Sequence, residues 1–118
     1  MYDSDSAYDH SSNYRFTVPS GKAGKYFIGA SIRSGSITDG KKITMNLFVN
    51  GSEVAEHYAQ VASSNSGEQY TIGIFITFDL SAGDYIEVFV LHQSGGAITF
   101  SSSSSLGAYF YAHRLIGV

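Results

Sequence analysis

Tyr85-Ile86-Glu87-Val88-Phe89-Val90-Leu91 is apolar on both of its faces. Successive side chains of a strand alternate sides. Ile86, Val88 and Val90 therefore point one way, and Phe89 and Leu91 point the other. A strand with one wet face alternates apolar with polar residues, and this one does not. Its second face needs a cover, and a chain of 118 residues has little spare material to provide one. The reading that follows is an oligomeric β-sandwich in which identical copies of the chain cover one another. The competing cover for Phe89 and Tyr109 is the chain's own N-terminal segment.

The rest of the chain repeats the strand pattern with only one wet face. Tyr26, Ile28, Ala30 and Ile32 share a face, as do Ile43, Met45, Leu47 and Val49. The longest alternating run is Tyr70, Ile72, Ile74, Ile76, Phe78 and Leu80. Arg15 to Val18, Glu53 to Ala62, Ala97 to Phe100 and Leu106 to Leu115 complete the expected strands. In the last of them Leu106, Ala108, Phe110 and Ala112 face one way, and Tyr109 and Tyr111 the other. Asn50-Gly51 is a strong two-residue hairpin signal. Pro19 with Ser20 to Gly24, Ser81 to Asp84 and Ser94 to Gly96 mark further turns. Ser101 to Ser105 reads as a solvated serine loop. No segment has helical periodicity, so the chain reads as all-β, a sandwich or barrel of eight or more short strands. Residues 1–14 read as a polar edge segment of the same domain, and residues 15–118 as its body.

Composition narrows the function. The formal net charge is −3, with only seven Lys plus Arg, which argues against a nucleic-acid partner because phosphate binding needs a basic face. With no Cys, no disulfide or thiolate metal site staples the fold. No apolar run approaches the ~20 residues of a membrane span. Met1 to Asp5 has neither the basic flank nor the apolar stretch of a signal peptide, and reads as a domain boundary or an expression start.

Ser, His and Asp are all present, but no G-x-S-x-G elbow and no H-E-x-x-H motif gives them a context. His10, His57, His92 and His113 fall in different elements. The Asp residues sit mainly in turns and the N-terminal segment, which does not suit paired-carboxylate chemistry. The expectation is a protein that is not an enzyme and uses no cofactor. Asn50-Gly51-Ser52 fits a glycosylation sequon, yet the hairpin turn already explains its Asn-Gly.

Five ordered pieces carry a resemblance. They are R-F-T-V-P at Arg15 to Pro19, G-K-Y-F-I at Gly24 to Ile28, F-V-N-G at Phe48 to Gly51, L-S-A-G-D-Y-I-E-V at Leu80 to Val88, and S-L-G-A-Y at Ser105 to Tyr109. Together they resemble the globular head of complement component 1q, within the tumour-necrosis-factor-like superfamily, from about Arg15 to Gly117. The wording is most similar to the branch found in bacteriophage tail fibres and bacterial surface proteins. The chain departs from the pattern in the turn between Phe16 and Gly24, in the serine run, and in the Ala108-Tyr109-Phe110 sequence.

The resemblance implies a jelly-roll sandwich of two antiparallel sheets, assembled as a homotrimer that caps a fibrous stalk outside the cell or on a virion. It further implies that the strands beginning near Ile43, Tyr85 and Leu106 lie in one sheet. The expected trimer interface is then Phe48, Glu87, Phe89, Leu91, Tyr109, Tyr111 and His113. A patch of that size exceeds what soluble monomers usually expose. A ring of His113 or the single carboxylate of Asp84 is not expected to hold a metal, since a lone Asp in a tight turn is normally a turn former. The implied function is a trimeric head that binds a cell-surface glycan or protein. The alternatives are a trimerisation cap without a ligand and a secreted signalling ligand. Strand parity, with both termini at the stalk end, puts the candidate ligand loops at the far end. They carry Ser20, Lys22, Asn50, Asp84, Ser101, Ser103 and Ser105.

Overall fold

The structure is a computed structural model that describes residues 3–60, 69–101 and 107–116. Among these there is no helix, and eight strands form two antiparallel sheets. The strands are β1 (Tyr8–Asp9), β2 (Arg15–Thr17), β3 (Gly24–Ser36), β4 (Lys42–Val49), β5 (Ser52–Gln60), β6 (Gln69–Leu80), β7 (Tyr85–His92) and β8 (Tyr109–Arg114). The first sheet has the order β1-β2-β7-β4-β5 and the second β6-β3-β8.

The alternating runs supply the core. Ile28, Ile43, Met45, Leu47 and Ile86 are all but sealed from solvent, joined by Tyr26, Ala30, Ile72, Ile74 and Leu80. They come from the inward faces of both sheets, which is how a two-layer sandwich buries its apolar stripe. Val88 and Val90 are only partly buried. With five strands facing three, the first sheet is wider than its partner. An apolar groove of about 960 Å³ is left between the sheets beside β8, reached by Phe16, Ile32, Val88, Val90 and Phe110.

Turn chemistry sets the connections. Asn50 and Gly51 have φ of 51° and 77°, the left-handed pair of a type I′ turn, and Val49 pairs directly with Ser52 across it. β3 is the longest strand and carries a register shift between Arg33 and Ser36. The buried Ser34 hydroxyl donates to the Tyr70 carbonyl and accepts from the Tyr70 N–H, both at 3.2 Å. The expected strand at Ala97 to Phe100 is reduced to an isolated bridge, Ser34 to Phe100. The Gly35 and Ser101 N–H groups nevertheless donate to the Thr99 and Arg33 carbonyls, so that segment follows the end of β3. The sandwich closes on its other side where the His57 Nδ1–H on β5 donates to the Gly73 carbonyl on β6 at 2.6 Å.

Candidate functional site

The structure corrects the expected grouping of the interface residues. β4 and β7 are neighbours in the first sheet, but β8 pairs with β3 in the second. Phe48, Glu87, Phe89 and Leu91 therefore lie on one outer face of the sandwich. Tyr109, Tyr111 and His113 lie on the opposite one. Alternation along a strand tells which way each side chain points. It carries no information about which sheet the strand joins, and that is where the expectation failed.

On the second sheet the outward side chains form a grid. Thr77, Phe27 and His113 make one row, Phe75, Gly29 and Tyr111 the next, and Gly73, Ser31 and Tyr109 the third. The central strand contributes the small Gly29 and Ser31 beside Phe75, Tyr111 and Tyr109. A Cβ on Gly29 would stand 2.4 Å from Tyr111 Cζ, and one on Gly73 would stand 3.0 Å from the Phe75 ring. The rings thus lie flat on bare backbone. Tyr111 is the hub. Its centroid is 5.8 Å from Phe27, 6.3 Å from Phe75, 6.2 Å from Tyr109 and 6.3 Å from His113. Phe75 remains 52% exposed and Tyr109 56% exposed. Phe27 and Phe75 were missed as site residues. The available signal was their parity, opposite to the inward runs of their own strands.

The face of the first sheet has a different chemistry. Its rows are Glu53, Phe48, Glu87; then Glu56, Asn46, Phe89; then Tyr58, Thr44, Leu91. Phe48 and Phe89 meet edge-on at 5.1 Å. Phe89 is 52% and Leu91 60% exposed, so no described N-terminal residue covers them. Asn46 Nδ2 donates to Glu53 at 3.0 Å and to Glu56 at 3.3 Å. At the margins Arg15 lies over the Tyr85 ring and Lys42 over the Tyr58 ring.

The candidate loops also divide. The Val18 N–H donates to the Asp84 carbonyl, and the Gly83 N–H to that of Val18. Asn50 Nδ2 donates to Asp84 Oδ1 at 2.8 Å, and Asn50 Oδ1 accepts the Tyr85 N–H at 3.0 Å. Asp84 Oδ2 accepts the Ser81 N–H at 2.7 Å. The hydrogen bond from Asn50, with that from Ser81, holds the Asp84 carboxyl below its usual range. The turns that carry Ser20, Lys22, Asn50 and Asp84 thus gather at one end of the molecule. Asn50 and Asp84 are occupied in tying turns together.

That end is also where the described ends of the chain lie. The Thr17 N–H donates to the Ala7 carbonyl and the Leu115 N–H to that of Lys25. The expectation that these loops lie away from the termini is therefore overturned. It rested on counting strands from an assumed starting end. Ser101 lies at the opposite end, beside Arg33, with Thr38 and Ser94, which are hydrogen-bonded to each other. Ser103 and Ser105 fall outside the described residues. Among the described residues no group of three or more His, Cys, Asp or Glu is arranged to hold a metal ion. No described helix is long and apolar enough to cross a membrane.

No family model matches this chain, and no curated protein matches it.

Proposed function

We propose that the chain is a non-enzymatic trimeric head domain of a fibrous protein, of the kind found on phage tails or bacterial surfaces, which binds a cell-surface glycan or protein. The observation that carries this reading is the aromatic grid on the second sheet. Burying the open half of Phe75 and of Tyr109, on the order of 100 Å² each, would stabilise an assembly by about 2 kcal/mol apiece. Ordering and desolvation reduce that gain.

The two outer faces of a sandwich point in opposite directions, so only one of them can face a three-fold axis. The second sheet is the better candidate because its rings are supported by Gly29 and Gly73 and its neighbouring carboxylate, Asp79, stands directly opposite Lys25. The interface is accordingly assigned to Phe27, Phe75, Tyr109, Tyr111 and His113. A jelly-roll reading draws support from the nested pairing of β2 with β7, β4 with both β7 and β5, and β3 with both β6 and β8. The ligand end is the one away from the described termini, around Thr38, Ser94 and Ser101. Surface loops are where recognition residues are disproportionately found.

Sedimentation equilibrium tests the assembly. Wild type is expected at three times the chain mass, and Tyr109→Glu with Phe75→Glu as a folded monomer. A wild-type monomer at micromolar concentration would remove the reading. Whole-cell binding by the trimer, lost on scrambling Gln93 to Ser101 without loss of assembly, separates a binding head from a bare trimerisation cap.

A further inference from the structure

The outer face of the first sheet is left over by that assignment, and its chemistry is specific. Phe48 is flanked across the ladder by Glu53 on β5 and Glu87 on β7. Directly opposed residues in an antiparallel sheet have Cβ atoms roughly 5 Å apart. Phe48 therefore has a glutamate beside it on either neighbouring strand, and the Glu53 carboxylate meets Asn46 one row along, where Glu56 also accepts from it. Beside them Phe89 and Leu91 line a shallow hollow of about 550 Å³, together with Asn46 and Gly51. Among the described residues no Lys or Arg pairs with any of the three glutamates. Arg15 is next in register to Glu87 but lays its guanidinium over the Tyr85 ring, and Lys42 lies at the margin over Tyr58. Three carboxylates thus surround exposed aromatic and aliphatic surface, with Arg15 beside Glu87 as the one neighbouring cation among the described residues.

We propose that this face docks a cationic segment of a partner protein. An Arg or Lys side chain of the partner lies over the Phe48 ring between Glu53 and Glu87, and apolar residues beside it cover Phe89 and Leu91. A cation over an aromatic face is attracted by the ring quadrupole, and two flanking carboxylates add Coulomb attraction of the same sign. Burying Phe89 and Leu91 supplies the non-directional part of the affinity. Charge also argues against a second copy as the occupant. Two such faces laid together would oppose three carboxylates with three more, and the whole chain is itself net negative. The inference does not rest on the trimer, whose assigned face is on the other side of the sandwich.

The test is an NMR titration of the isotope-labelled chain with three short peptides that alternate Leu with Arg, Leu with Ser, and Leu with Glu. The Arg peptide is expected to shift the resonances of Phe48, Phe89 and Leu91, and to do so less as salt is raised. Glu53→Gln with Glu87→Gln is expected to weaken that binding about tenfold, in keeping with two exposed charge contacts. These substitutions face outward and leave the core untouched, and an unchanged amide spectrum elsewhere verifies the fold. Equal binding of the Ser peptide would overturn the proposal in favour of a neutral ligand. So would unchanged affinity in the double variant. A change in the sedimentation of the chain alone on Phe89→Ser would also overturn it, because a second copy would then be the occupant.

Discussion

Gly29 shows how much one missing side chain decides. It stands in the middle of β3, where a β-branched or aromatic residue would be the better strand former. The close approach of Tyr111 is what requires it. Replacing it with Ala gains roughly 0.5–1 kcal/mol of backbone entropy, but sets a methyl group 2.4 Å from the ring. Lifting Tyr111 off the backbone gives up its ring contacts with Phe27, Phe75, Tyr109 and His113. Overpacking typically costs about 1–3 kcal/mol, so the steric effect wins. Gly29→Ala is expected to lower stability by about 1–2 kcal/mol in urea denaturation, the balance of those two effects. The near-ultraviolet tyrosine dichroism should change with it. An unaltered signal and midpoint would show that the ring does not rest there.

At the scale of elements, short polar segments are held by aspartates. Asp84 binds the turn into β7 to the β4–β5 hairpin through Asn50. Asp9 accepts the N–H groups of Ser11, Ser12 and Asn13, which fold the connection between β1 and β2 around its carboxylate. Asp3 accepts those of Ala7 and Tyr8. In each case hydrogen bonds to the charged form lower the pKa, led by Ser11 for Asp9, by Ala7 for Asp3 and by Asn50 for Asp84. A carboxyl whose folded pKa lies below its unfolded value contributes stability above the unfolded pKa. It loses that contribution as pH falls through the folded one. The melting temperature is therefore expected to fall below about pH 4, the ordinary range of an Asp. Asp84→Ala should melt lower than wild type at neutral pH, and the gap between them should close in acid. A gap that persists at pH 2 would show that the charge is not what ties these turns.

The whole molecule presents two unlike faces and two unlike ends. One face is an aromatic grid over glycine, and the other is apolar surface set among carboxylates. The turns at one end are bound to each other and lie beside the described ends of the chain. If the grid is the assembly face, folding and association are linked by mass action, and the melting temperature should rise with protein concentration. Scanning calorimetry across a hundredfold dilution checks this. Tyr109→Glu should abolish the dependence while retaining a cooperative transition. A wild-type melting temperature independent of concentration would mean that the grid is not buried between copies.

The inward sets on β3, β4, β6 and β7 were legible in the chain because a strand's side-chain period of two is local. It fixes which residues of a strand share a face, and the same logic marked Phe89 and Leu91 as turned outward. Asn50-Gly51 was legible because left-handed φ at two consecutive positions restricts residue choice. Only the tertiary structure decided that β8 joins β3 rather than β4, so Tyr109 and Tyr111 stand on the opposite side from Phe48 and Phe89. It alone brought Asn50 to Asp84, and set Gly29 beneath Tyr111. These are pairings between residues far apart in sequence. Backbone hydrogen bonding between strands is nearly indifferent to side chain, so the choice of neighbour follows from how the two sheets fill the space between them.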